Sequence, residues 1–164
     1  MKTKLTTSLF CFFFLSTQAI CQDVIKQIPC DNPFLKNQAD SIIDEYTARG
    51  FTLLRQASVT MESQYEMPII LPMMEGSWYF FAFLADPTSR INEVRMFDWN
   101  EKQVIYQKNY GSDKNGHINT FSYIPKFTEH YMIKPVQVNK QKKKGLCGYV
   151  VLMKRTQDAP ERKN

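Results

Sequence analysis

The chain of 164 residues carries a formal net charge of +5; 43% of it is hydrophobic and 13% aromatic. That is the length of one domain with a real core. Six glycines and eight prolines exclude collagen-like and low-complexity readings, and so many aromatics exclude a disordered chain.

Residues 1–21 read as a secretory signal. Lys2 and Lys4 form a positive start, and Leu9 to Leu15 form an apolar run too short to span a bilayer, which takes about 20 residues. Cleavage after Cys21 places Ala19 and Cys21 at the small positions before the cut. Cleavage after Ala19 leaves Cys21 in the product. A lipoprotein signal would lipidate Cys21, but Ile20 stands where such a signal wants Gly, Ala or Ser. No later stretch is long and apolar enough to cross a membrane as a helix, so the expected location is periplasmic or secreted. Loss of Lys2 and Lys4 lowers the net charge from +5 to +3, and Lys140, Lys142, Lys143 and Lys144 concentrate four positives in one loop. The basic character is therefore local.

Of the 4 cysteines, Cys11 leaves with the signal and Cys21 is expected to follow. Cys30 and Cys147 remain, an even pair in an oxidising compartment, which predicts a disulfide between the segment before the first helix and the last strand.

Residues 22–50 form the N-terminal segment. Asn32 is a good N-cap, Pro33 suits the first helical position, and Leu35, Ala39, Ile42, Ile43 and Tyr46 make one apolar stripe. Gly50 is placed to end this helix. From Phe51 the period becomes two, with Phe51, Leu53, Ala57, Val59 and Met61 expected on one face and Arg55 as the exception. Residues 67–74 form a second strand that Pro68 and Pro72 push to an edge. Residues 77–85 are apolar on both faces and should be a central, buried strand. Further strands are expected over 91–99, 103–110, 118–124, 131–138 and 147–154, separated by turn-forming runs. The lysine loop spans 139–146, and residues 156–164 form a polar tail. Short strands at this spacing predict a mainly β protein over 51–155, an antiparallel β-sandwich of jelly-roll type. The helix should cap one open end or one sheet face.

The second half resembles the bacterial pre-peptidase C-terminal type of β-sandwich, a jelly-roll-like secreted module. The resemblance rests on Trp78, Tyr79, Phe81 and Phe83, on Arg95-Met96-Phe97-Asp98, and on Tyr123-x-Pro125-x-x-Thr128-x-x-Tyr131-x-Ile133 followed by Gly148-Tyr149-Val150-Val151-Leu152. Glu129-His130 replaces the Gly of the usual turn. The resemblance implies architecture and brings no catalytic residues.

Candidate chemistry is sparse. His117 and His130 lack metal-ligand spacing, and the Asp98-Trp99-Asn100 and Asp113-Lys114-Asn115-Gly116 loops fall short of the oxygen set that calcium takes. Turn formation explains both loops. There is no nucleophile elbow and no phosphate-binding Gly-rich loop, and no cofactor is expected. Tyr106, Tyr110, Phe121 and Tyr123 suit either stacking on a ligand or core packing. Lys140, Lys142, Lys143 and Lys144 are candidate contacts to an anionic partner; the alternative is a hairpin tip that charge keeps solvated. Export argues against nucleic acid. The reading is an exported, non-catalytic envelope protein that holds a protein partner or glycan through its loops. Its rivals are an accessory subunit of an envelope secretion apparatus and a small secreted hydrolase.

Overall fold

Asn32 caps the N-terminus of the helix α1 (Pro33–Ala48): its side chain accepts a hydrogen bond from the Leu35 N–H at 3.2 Å, and Pro33 opens the first turn. Gly50, at φ +86°, ends it in the left-handed region that favours glycine. A computed structural model describes residues 28–156, and the expected signal over 1–21 and the tail beyond Thr156 lie outside the described residues.

Eight strands follow: β1 (Phe51–Met61), β2 (Ile69–Met73), β3 (Tyr79–Leu84), β4 (Ile91–Phe97), β5 (Gln103–Tyr110), β6 (Ile118–Tyr123), β7 (Glu129–Val138) and β8 (Leu146–Arg155). They form two antiparallel four-stranded sheets, β1-β8-β3-β6 and β2-β7-β4-β5. The expected β-sandwich is what the chain forms. Val59, Met61, Leu71, Phe81, Phe83, Met96, Ile133 and Leu152 fill the space between the sheets.

The other face of the first sheet is buried under α1. Leu35 and Ala39 are fully buried there against Phe80, Ala82, Tyr149, Val151 and Met153. Tyr46 stacks on Phe80 with ring centroids 3.5 Å apart and meets Phe51 edge-on at 5.5 Å. β3 is therefore apolar on both faces because sheet packs on one side and helix on the other. Of the two expected helix positions, the sheet face is the one occupied. β2 lies at an edge, as its prolines require.

β1 departs from the expected single face. Leu53 pairs with Met153 but Arg55 pairs with Leu152, so Leu54 is an extra residue in the strand. A bulge of one residue exchanges the two faces of everything beyond it. Phe51 accordingly joins the helix-side cluster, while Val59 and Met61 turn into the core between the sheets.

The predicted disulfide is formed. Cys30 and Cys147 are bonded, with Cα atoms 5.6 Å apart and a sequence separation of 117. No helix among the described residues is long and apolar enough to cross a membrane.

Candidate functional site

With α1 on the first sheet, no helix or strand among the described residues covers the outer face of the second sheet. Strand register sets what that face displays. Ile70, Met132 and Phe97 form one row across β2, β7 and β4. Lys134, Arg95 and Tyr106 form the next row, then Val136, Glu93 and Lys108, then Val138, Ile91 and Tyr110.

The charges on this face are paired. Arg95 donates to Glu66 at 3.0 Å and to Glu93 at 2.9 Å, Lys108 reaches Glu93 at 3.2 Å, and Lys134 reaches Glu66 at 3.1 Å. Partial burial works to raise the Glu93 carboxyl, but the bonds from Arg95 and Lys108 outweigh it and hold the group below its ordinary range. The same bonds push Arg95 and Lys108 up. The ladder holds these long side chains in place and leaves aromatic surface beside them. Tyr106 and Tyr110 are 51% and 48% exposed, and the Lys134 ammonium lies 5.2 Å from the centre of the Phe97 ring.

At one end of the face lies a cleft of about 210 Å³ lined by Ile70, Asp98, Trp99, Glu101, His130, Tyr131 and Met132. Trp99 is 70% exposed and stands 6.1 Å from the His130 ring. Its backbone is fixed by Asp98, whose Oδ1 accepts from the Asn100 and Lys102 N–H groups at 3.0 and 2.9 Å. Burial first, then Tyr123 and Glu129, push the Tyr131 phenol well up, so its hydroxyl stays neutral. The cleft thus combines an indole, two carboxylates and an imidazole, while the Tyr131 side chain turns inward and is buried in the core between the sheets. Met74, Ile124 and Phe127, all more than half exposed, lie in loops at the same end of the sandwich.

The sequence-predicted residues separate. Lys140 and Lys143 line a second cleft at the opposite end of the sandwich, beside Thr88, Arg90, Asn139 and Gln141. Lys142 and Lys144 are exposed and take no part in its lining. Phe121 packs on Phe81 at 5.0 Å and Tyr123 on Tyr131 at 5.4 Å, so these two are packing residues, whereas Tyr106 and Tyr110 face outward. Asp113 and Asp98 bond backbone N–H groups of their own turns. Among the described residues no group of three or more His, Cys, Asp or Glu is arranged to hold a metal.

Trp99, Glu93, Arg95, Lys134 and Glu66 were missed as a group. The alternation Ile91, Glu93, Arg95, Phe97 and again Tyr106, Lys108, Tyr110 signals one polar-aromatic face per strand. Only the pairing of β4 with β5 and β7 merges these faces into one.

No protein-family model matches the chain, and no curated protein matches it in sequence. Among solved structures it is similar to AlgX of Pseudomonas aeruginosa, at 12% identity and a TM-score of 0.43 over 64% of this chain and 27% of that one. It is also similar to a family GH115 4-O-methyl-α-glucuronidase, at 6% identity and a TM-score of 0.40 over 58% of this chain and 14% of that one. A third similarity is to CBM4, at 15% identity and a TM-score of 0.37 over 68% of this chain and 82% of that one. The chain spans about a quarter of the length of AlgX, and these similarities are too distant to carry a function across.

Proposed function

We propose that the protein is an exported, non-catalytic binding module of the cell envelope that holds a glycan on the uncovered face of its second sheet. The observation that carries this reading is Trp99, 70% exposed beside a cleft that also presents Asp98, Glu101 and His130. An indole offers a flat apolar surface to the C–H face of a sugar ring, and the neighbouring polar groups meet its hydroxyls at the rim. A largely apolar cleft with a few placed polar groups is the usual form of a small-molecule site. Tyr106 and Tyr110 extend aromatic surface along the same face, so a chain of several sugars is better matched than a single one. The Cys30–Cys147 bond supports export, because such bonds persist in oxidising compartments.

Calorimetric titration against a panel of neutral and acidic oligosaccharides tests the proposal. Trp99→Ala should weaken binding of the best oligosaccharide by at least about tenfold, matching loss of one stacked aromatic. Its melting temperature should stay unchanged, since the side chain is exposed. Absence of binding to the whole panel, or equal affinity in Trp99→Ala, would reject the glycan site. Release of reducing ends that Glu101→Gln abolishes would replace the binding module with a hydrolase.

A further inference from the structure

The lysine loop has no part in the glycan face, and its geometry is not that of a loose hairpin tip. Asn139, only 6% exposed, holds the start of the loop: its N–H donates to Ser63 Oγ at 2.9 Å, and its Nδ2 donates to the Thr88 carbonyl and Oγ1 at 2.8 and 3.0 Å. Its Oδ1 accepts from the Gln141 N–H at 2.8 Å, and its carbonyl accepts from the Lys142 N–H at 3.1 Å. Further along, the Lys143 carbonyl accepts from the Ser63 N–H at 2.9 Å. Arg90 forms the facing rim, where its N–H donates to the Val138 carbonyl at 2.8 Å. Lys140, Lys143 and Arg90 are thereby held around one cleft of about 390 Å³ whose lining contains no carboxylate.

This arrangement contrasts with the outer face of the second sheet, where Arg95, Lys108 and Lys134 are all paired. Lys36, Arg49, Arg95, Lys108 and Lys134 each pair with a carboxylate. Among the described residues, Arg90, Lys140 and Lys143 pair with none. Asp86, the nearest carboxylate in sequence to Thr88, spends its oxygens on the Thr88 N–H and Oγ1 and on the Cys147 N–H. Three like charges lining one cleft, with no carboxylate among them, repel one another and gain nothing for the fold. An anion that enters the cleft relieves that repulsion and finds a guanidinium fork and two ammonium groups within the same lining.

We infer that this cleft binds an oxyanion of the phosphate class, carried either by a soluble phosphate or by a lipid headgroup, with Arg90, Lys140 and Lys143 as its charged contacts and Thr88 and Gln141 as polar ones. The site is independent of the glycan proposal and lies at the other end of the sandwich.

The test follows backbone amide shifts of the purified full chain under titration with inorganic phosphate and pyrophosphate. Shifts should concentrate at residues 88–90 and 139–143. Pyrophosphate should bind more tightly than phosphate, and the affinity should fall as salt rises. Arg90→Gln and Lys143→Gln should each weaken binding by roughly tenfold, the scale of one charge-assisted contact. Arg90→Lys should recover only part of the loss, because it keeps charge but not the fork. Lys126→Gln, at the far end, should change nothing.

A second arm sediments the protein with phosphatidylcholine vesicles that do or do not contain phosphatidylglycerol. Sedimentation that needs phosphatidylglycerol and is lost in Arg90→Gln assigns the phosphate to a lipid. Binding in the first arm alone assigns it to a soluble phosphate. Shifts scattered over the surface and indifferent to Arg90→Gln and Lys143→Gln, together with no specific sedimentation, would overturn the site. Unchanged circular dichroism of each variant confirms that a loss is not unfolding.

Discussion

Breaking the Cys30–Cys147 bond should weaken the fold by about 3 kcal/mol, nearly all of it through the unfolded chain. The bond closes a loop across a sequence separation of 117 residues, which spans α1 and the first seven strands. Chain-entropy theory puts closure of so long a loop at roughly 5 kcal/mol, and compact denatured ensembles reduce the realised share. The folded state should change little, since Leu35 and Ala39, fully buried on the first sheet, anchor α1 by packing of their own. For a domain of this size the loss amounts to roughly 10–15 °C in melting temperature. Guanidinium unfolding of the oxidised protein, Cys30→Ala, Cys147→Ala and the double variant measures it. The two single variants and the double variant should coincide, because each removes the same bond. Additive single effects, or a loss under about 1 kcal/mol, would refute the loop-entropy reasoning and place the stability of the N-terminal segment in the α1 contacts alone.

Three further outcomes are expected. Gln137 is fully buried and ties three segments together: its Oε1 accepts from the Asp86 N–H at 2.8 Å and Ser89 Oγ at 3.0 Å, and its Nε2 donates to the Cys147 carbonyl at 3.3 Å. Gln137→Leu orphans these groups and should cost roughly 2–4 kcal/mol in chemical denaturation. His117 bonds Gln38 of α1 at 2.8 Å, and burial lowers its pKa from 6.5. The unfolded chain therefore takes up this proton first: stability is full above about pH 6.5, falls as pH drops below it, and levels off below the folded pKa. His117→Gln should remove that slope from a pH series of denaturant midpoints. Deletion of Leu54 should destabilise by more than about 3 kcal/mol, because without the bulge Phe51 or the Val59–Met61 pair must leave its cluster, whereas Leu54→Ala at this half-exposed position should cost under about 1 kcal/mol.

The helix and the buried strand were legible in the sequence because each is decided locally. Asn32, Pro33 and Gly50 mark the ends of α1, and its stripe repeats at helical spacing. β3 reads as apolar on both faces without reference to what covers either. β1 was misread past Leu54, because a bulge leaves no residue signature when the extra residue is another leucine. The lysine loop was found by composition, but its division was not. Which lysines line the cleft depends on Asn139 bonding Thr88, a contact between loops 51 residues apart.

The polar-aromatic sheet face was hidden for a related reason. Glu66, Glu93, Arg95, Lys108 and Lys134 come from β4, β5, β7 and the segment before β2, and each alone reads as an ordinary exposed charge. Together they use up one another's charge, so the face can carry them partly buried among aromatic rings at a lower desolvation cost than unpaired charges. The same pairing is missing around Arg90, Lys140 and Lys143. The chain therefore treats two parts of its surface in opposite ways, pairing Glu66, Glu93, Arg95, Lys108 and Lys134 on the sheet face and leaving Arg90, Lys140 and Lys143 without carboxylate partners at the loop end. A sugar needs the first environment and an oxyanion the second. The disulfide joins the fold at the loop end, away from Trp99, so its loss should lower stability and leave Trp99-dependent oligosaccharide affinity intact below the melting transition. A parallel loss of affinity in folded Cys30→Ala would show that the two ends are coupled and that the sheet face is not the independent surface described.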